Sequence, residues 1–137
     1  MKTLVLFHSY TGKTKELAAK KAAELGADIE EIKDVKRQST IGAYTIGGFR
    51  AIRRKGTPIQ PIQSQLDGYD KIILMSPVWA SRPTPAINSA IGSIPSGKRI
   101  ELIMVSASGS TGKSGEGTKA MIYGRGCEVT EYADIKA

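Results

Sequence analysis

The chain has 137 residues, 40% of them hydrophobic and 6% aromatic, with 20 Lys and Arg against 13 Asp and Glu for a net charge of +7. That length implies one domain with a real core, expected to span residues 1–137, and no apolar run approaches the roughly 20 residues of a membrane helix. The charge admits an anionic ligand, an acidic protein or nucleic acid as partner, while the single Cys127 excludes an internal disulfide and fits a reducing, cytoplasmic setting.

Residues 2–8 read as a short buried strand. Its apolar run is too short for a signal-peptide core and meets Ser9-Tyr10-Thr11-Gly12-Lys13-Thr14 rather than a small-residue cleavage site. A helix is expected at once, near 14–25, with Leu17, Ala18, Ala22 and Leu25 on one stripe and Gly26 as its stop. A strand that empties into a loop of hydroxyls, one Gly and one Lys, and then opens a helix, aims backbone N–H groups and the positive helix end at one spot. That is an anion site, most often a phosphate site. Neither common nucleotide fingerprint fits. A Walker A loop ending at Gly12-Lys13-Thr14 needs Gly or Ala where Phe7 stands, and no G-x-G-x-x-G occurs.

Residues 27–32 form a short, weakly patterned strand at or near an edge. From Lys33 to Asp70 the pattern is poorest: Ile41, Tyr44, Gly48 or Phe49, and Ile52 recur at helical spacing, but Gly42, Gly47 and Gly48 weaken any helix. Arg50, Arg53, Arg54 and Lys55 make a basic stretch, with Lys33, Lys36 and Arg37 upstream. It reads first as a solvated helix face, and second as a docking face for an acidic protein, an anionic substrate or nucleic acid. Residues 71–76 and 99–106 are the clearest central strands, 85–91 and 115–123 read as helices, and 127–132 as a last strand. Strands alternating with helices imply a parallel sheet covered on both faces.

In an open parallel sheet, ligands bind outside the carboxyl ends of the strands. Three loops leave such ends: 9–14, 77–85 and 106–113. The second holds the only Trp, Trp79, which serves either as a wall for an aromatic ring or as a hydrophobic plug; Arg82 beside it is a candidate ligand contact. The third is built of small residues rich in N–H and hydroxyl donors, which let a ligand approach the backbone. Ala107 to Ser114 also satisfies the loose Walker A pattern, but no upstream strand ends in the Asp that a P-loop NTPase needs for Mg²⁺.

Taken in order, Ser9-Tyr10-Thr11-Gly12-Lys13-Thr14, Ser76-Pro77-Val78-Trp79 and Ser106-Ala107-Ser108-Gly109 resemble the ligand loops of flavodoxin-like proteins, and the resemblance covers nearly the whole chain. It implies an α/β fold, a doubly wound five-stranded parallel sheet in the order 2-1-3-4-5 with helices on both faces, and FMN at the strand ends. Carried over residue by residue, Ser9, Tyr10, Thr11, Gly12, Lys13 and Thr14 form the phosphate loop. Pro77, Val78, Trp79 and Ala80 line the isoalloxazine, and Ser106, Ala107, Ser108 and Gly109 contact its pyrimidine side. The implied function is a small redox protein that binds FMN non-covalently and carries electrons to a partner, expected to be acidic, or reduces a small acceptor such as a quinone. The alternative is a flavodoxin-fold module without flavin, binding another phosphate ligand or a protein.

The chain departs from the electron-transfer flavodoxins in three ways. It is basic where they are acidic, its third loop has no second ring-stacking aromatic, and Ala80 stands where Gly often follows the covering Trp. If a peptide flip there requires φ > 0, Ala costs roughly 1 kcal/mol, which implies a weaker hold on the one-electron-reduced flavin and a bias to two-electron chemistry. Elsewhere the bland readings lead. His8 is a structural histidine before it is a donor to phosphate or substrate, Cys127 is core, and Asp67 and Asp70 are turn residues. One His, one Cys and scattered carboxylates make no metal set. There is no G-x-S-x-G elbow, and nucleic-acid binding rests on charge alone.

Overall fold

The first strand, β1 (Thr3–Phe7), is buried on both faces, with Leu4, Val5 and Leu6 at 0% exposure and Phe7 at 3%. A strand of that kind demands a layer on either side. The structure, a computed structural model, describes residues 2–35, 55–79 and 82–136, and Lys113 by its backbone alone. Within them β1 is followed by α1 (Lys13–Leu25), β2 (Asp28–Glu31), β3 (Lys71–Trp79), β4 (Arg82–Pro83), α2 (Pro85–Ser93), β5 (Arg99–Ser106), α3 (Gly115–Gly124) and β6 (Glu128–Lys136). The sheet runs β2-β1-β3-β5-β6 with every neighbouring pair parallel, and β4 folds back antiparallel on the end of β3. With that two-residue flap set aside, this is the expected 2-1-3-4-5 order.

Alternate residues of the central strands feed two cores. On one face Leu4, Leu6, Ile72, Leu74, Ile100 and Leu102 meet Ile87, Ala90 and Ile91 of α2 and Ile122 of α3. On the other, Val5, Phe7, Ile73, Met75, Ile103 and Val105 meet Ala18 and Ala22 of α1. Gly26 closes α1 as expected, at φ 62° with its N–H on the carbonyls of Ala22 and Ala23. Leu25, expected on the buried stripe, is instead 54% exposed. Asp70 accepts a hydrogen bond from the Lys2 N–H (3.0 Å), tying the turn before β3 to the start of β1. Cys127 is buried one residue ahead of β6, with its thiol on the Pro95 carbonyl.

Two strands run further than the sequence pattern suggests. β3 continues through Pro77-Val78-Trp79, because Pro77 lies past the end of β1's ladder, which stops at Phe7–Met75, and at the last rung of β5's, Pro77–Val105. A proline without an N–H is tolerated at such an edge. β6 continues to Lys136 through a bulge: Ile100 pairs with Val129 but Glu101 with Glu131, so Thr130 is the extra residue. The slip puts Val129 and Tyr132 on one core and Ala133 and Ile135 on the other.

Glu101 is the charged exception in the sheet, 5% exposed on the face of α1. It is neutralised by Lys71 at 3.0 Å and Lys21 at 3.4 Å, and Lys71 also reaches Glu131 at 3.5 Å. Its hydrogen bond to Glu101 holds the Lys71 ammonium above the usual lysine range. Likewise the hydrogen bond from the Tyr69 hydroxyl to Asp28 (2.7 Å) raises the phenol. Both groups bind protons more tightly folded than unfolded. Their contribution is therefore complete below the ordinary values and is lost as pH climbs through the raised ones. Urea midpoints are expected to decline above about pH 10, with a shallower decline in Lys71→Met and Tyr69→Phe. An alkaline limb unchanged in both variants would exclude these pairs as its source.

Candidate functional site

The chain passes from β1 outward to β2, then returns across β1 to β3, so the strand order reverses between β1 and β3. A crevice opens at such a switch point outside the carboxyl ends. The three loops singled out in the sequence leave the ends of β1, β3 and β5, which are adjacent in the sheet.

In the first loop Ser9 Oγ accepts from the N–H groups of Gly12 (3.1 Å) and Lys15 (3.3 Å), which folds the turn onto the start of α1. Gly12 is the N-cap at φ 101°. No atom lies within 4 Å of where its Cβ would stand, so glycine is required by the backbone angle and not by crowding. Thr14 is 2% exposed in the first turn, whereas Thr11 and Lys13 face solvent. The free N–H groups of that turn and the helix dipole point the same way.

The second segment is the end of β3 with its antiparallel flap, in which Val78 pairs with Pro83 and Trp79 with Arg82. Trp79 is half-buried and met edge-on by two rings, Tyr10 at 5.6 Å and 84° and His8 at 6.4 Å and 75° between centroids and planes. A cleft beside it is lined by His8, Tyr10, Asp34, Thr57, Trp79, Pro85 and Ala86.

His8 is 3% exposed and satisfied at both nitrogens, Nε2 to Asp34 Oδ2 (2.9 Å) and Nδ1 to Thr84 Oγ1 (2.8 Å). Hydroxyl, imidazole and carboxylate make the set of an acyl-transfer triad, but Thr84 is 0% exposed and no substrate can reach its oxygen. The array is therefore no catalytic triad. Neither Asp34 nor Thr84 stood out in the sequence. The one usable signal was Thr84 directly before Pro85, the pattern of a hydroxyl N-cap ahead of proline at the helix start.

The third loop is prebuilt from its own hydroxyls. Ser106 Oγ accepts from Gly109 N–H (3.0 Å), Ser108 Oγ donates to the Ser110 carbonyl (3.1 Å), and Ser110 Oγ accepts from Gly112 N–H (3.1 Å). Thr111, 4% exposed, donates to Asp134 (2.9 Å) and bonds the Tyr132 hydroxyl, latching the loop to β6. Gly109 sits at φ 74° against Lys136. Ala107 is exposed at the tip.

Of the other residues read from sequence, Ala80, Lys36, Arg37, Arg50, Arg53, Arg54 and the 41–52 spacing lie outside the described residues. Lys55 is exposed, and its carbonyl accepts from Asn88 Nδ2 (3.1 Å). Among the described residues no three His, Cys, Asp or Glu side chains gather as a metal set, and no helix is long and apolar enough to cross a membrane.

No protein-family model matches the chain, and no curated protein matches it by sequence. Solved structures do match. A flavoprotein from Lactobacillus acidophilus NCFM in complex with FMN superposes with a TM-score of 0.80 at 24% identity, over 96% of this chain and 91% of that one. The apo form of the flavoprotein from the same organism, solved by NMR, gives 0.72 at 22%, over 97% and 92%. Oxidised flavodoxin 1 from Bacillus cereus gives 0.56 at 21%, over 100% and 86%. Strand order, two-faced helical cover and these superpositions agree: the chain has the flavodoxin-like fold.

Proposed function

We propose that this protein is a small redox protein, one domain, that binds FMN non-covalently in the crevice between the loops after β1, β3 and β5. One observation carries the proposal. Three adjacent strands at the switch point deliver a Gly12-opened helix start, the only tryptophan and a small-residue loop to one edge. The FMN complex of the Lactobacillus neighbour supports the same ligand.

The residues fit the cofactor piece by piece. Thr11, Lys13 and the first-turn N–H groups of α1 are assigned to the phosphate, with Ser9 and Thr14 shaping the loop around it. Trp79, flanked by Pro77 and Val78, is assigned as the wall of the ring system. The backbone of 106–109 is assigned to the polar ring edge, since the hydroxyls of Ser106 and Ser108 are already engaged inside the loop. The bound flavin would supply electron or hydride transfer; the protein supplies binding, orientation and electrostatics. The net charge of +7 favours an acidic partner protein as the electron acceptor; a small acceptor such as a quinone is the alternative. The unpaired, buried Cys127 favours a reducing, cytoplasmic setting. A flavin-free binding module is the second reading, favoured by the engaged hydroxyls and by the absence of an aromatic in the third loop.

The test is an absorbance spectrum of the protein as isolated and after FMN addition and desalting. Retained flavin with a band near ~450 nm and quenched emission is expected; a colourless protein in both samples would move the assignment to the flavin-free module. Trp79→Ala is expected to weaken FMN about tenfold or more through loss of ring stacking, and an unchanged Kd would remove Trp79 from the site. Gly12→Ala places a side chain at positive φ and is expected to lose about 1 kcal/mol of stability in urea denaturation, together with affinity for FMN. Wild-type stability and affinity in that variant would show that the turn does not need the left-handed angle.

A further inference from the structure

We infer that the buried Asp34–His8–Thr84 array is a positioning device for Trp79, setting the orientation of the indole before any ligand arrives. His8 borders the cleft but offers a ligand no free nitrogen, because its ring is 3% exposed and both nitrogens are engaged. Whatever it does, it does through its neighbours. Its two partners come from different parts of the fold. Asp34 follows β2 in a segment held by an antiparallel bridge to Ile59, and Thr84 is the N-cap of α2. An N-cap hydroxyl ordinarily accepts from the first N–H groups of its own helix. Thr84 makes no such cap bond and turns to His8 instead.

The hydrogen-bond directions follow from the donors available. A carboxylate only accepts, so Nε2–H donates to Asp34, while Nδ1 shares a hydrogen bond with the Thr84 hydroxyl. The Thr84 N–H in turn donates to Ser76 Oγ (3.1 Å), and Ser76 Oγ–H donates to the Pro77 carbonyl (2.8 Å). The array thus grips both the imidazole and the backbone leading to Trp79. The imidazole fixed in this way stands edge-on to the indole, as does the Tyr10 ring of the first loop. A side chain held by two ring neighbours loses less freedom on binding, which is how preorganisation raises affinity. The link to affinity rests on the FMN reading above; the link to Trp79 does not.

Trp79 is the only tryptophan, so the long-wavelength indole band of near-UV circular dichroism, and acrylamide quenching of emission excited at the red edge where tyrosine does not absorb, report on it alone in the ligand-free protein. Thr84→Val and Asp34→Ala are expected to reduce its dichroic band and increase its quenching, while far-UV dichroism stays native. Thr84→Ser, which keeps the hydroxyl, is expected to restore the wild-type signals. FMN affinity is expected to fall about tenfold in Thr84→Val, because a loosened indole must then be ordered on binding. A folded Thr84→Val with lowered stability but wild-type tryptophan signals would reduce the array to a merely structural role and overturn the inference. Thr84→Ser behaving like Thr84→Val would also overturn it. Should the disruptive variants fail to fold, the wild type still decides: NOEs between the His8 ring protons and the Trp79 indole are expected, and their absence overturns the inference. Altered tryptophan signals in a protein that never retains FMN would defeat the flavin reading and leave this one standing.

Discussion

Parallel pairing of β1, β3 and β5 is the constraint on which the rest depends. Because these strands are buried on both faces, each must hold two apolar sets in alternation, Leu4 and Leu6 against Val5 and Phe7 in β1. A slip of one residue would exchange the sets and ruin both cores at once. The register that satisfies both cores also fixes the level at which each strand ends, with Phe7 beside Met75 and Ser76 beside Met104. His8, the end of β3 and Ser106 therefore come to one edge, where Tyr10 meets Trp79 and His8 bonds Thr84. Glu101 interrupts the apolar set on the α1 face and is tolerated because two ammonium groups approach it; removing either would leave a buried charge short of a partner.

Helix α2 carries that order from the sheet to the cleft. Thr84 at its start holds His8, and Pro85 and Ala86 line the cleft. One turn on, Ser89 Oγ accepts from Thr57 N–H (2.8 Å) and donates to the Thr57 carbonyl (2.6 Å), while Asn88 donates to the Lys55 carbonyl. A Cβ at Gly56 would collide with the Ser89 hydroxyl and displace it from Thr57. A single helix thus positions three sides of the cleft, and Thr57, far from the loops in sequence, is brought to it by α2.

Most of the architecture was legible because burial on two faces writes long apolar runs such as 71–76 and 99–106, and because Gly26 and Pro85 punctuate helices where their backbones allow. The failures have local causes. Pro77 reads as a strand breaker, yet at the last rung of one ladder and beyond the end of another it breaks nothing. β6 hides its length because the bulge at Thr130 changes its parity halfway, so neither alternation nor a continuous run appears. Asp34 carries no pattern at all, since its role depends on His8, 26 positions earlier.

The hydroxyls mark the deeper limit of reading a site from composition. Seven Ser and Thr residues in the loops after β1 and β5 have described side chains, and by type every one is a donor to a ligand: Ser9, Thr11, Thr14, Ser106, Ser108, Ser110 and Thr111. Ser9, Ser106, Ser108 and Ser110 instead bond the backbone of their own loops, and Thr111 bonds β6. Thr14 is buried, and Thr11 is exposed, as are Ser108 and Ser110, whose hydroxyls are nonetheless bonded within their loop. Such loops gain rigidity from their hydroxyls and present their backbone, because each hydroxyl turned inward replaces a water that the turn would otherwise need. In the proposed FMN site, recognition would thereby pass to N–H groups whose direction is set by the fold, to Lys13 and to one indole. A mutation that removed an inward hydroxyl would act on the shape of the site and only through that on its ligand.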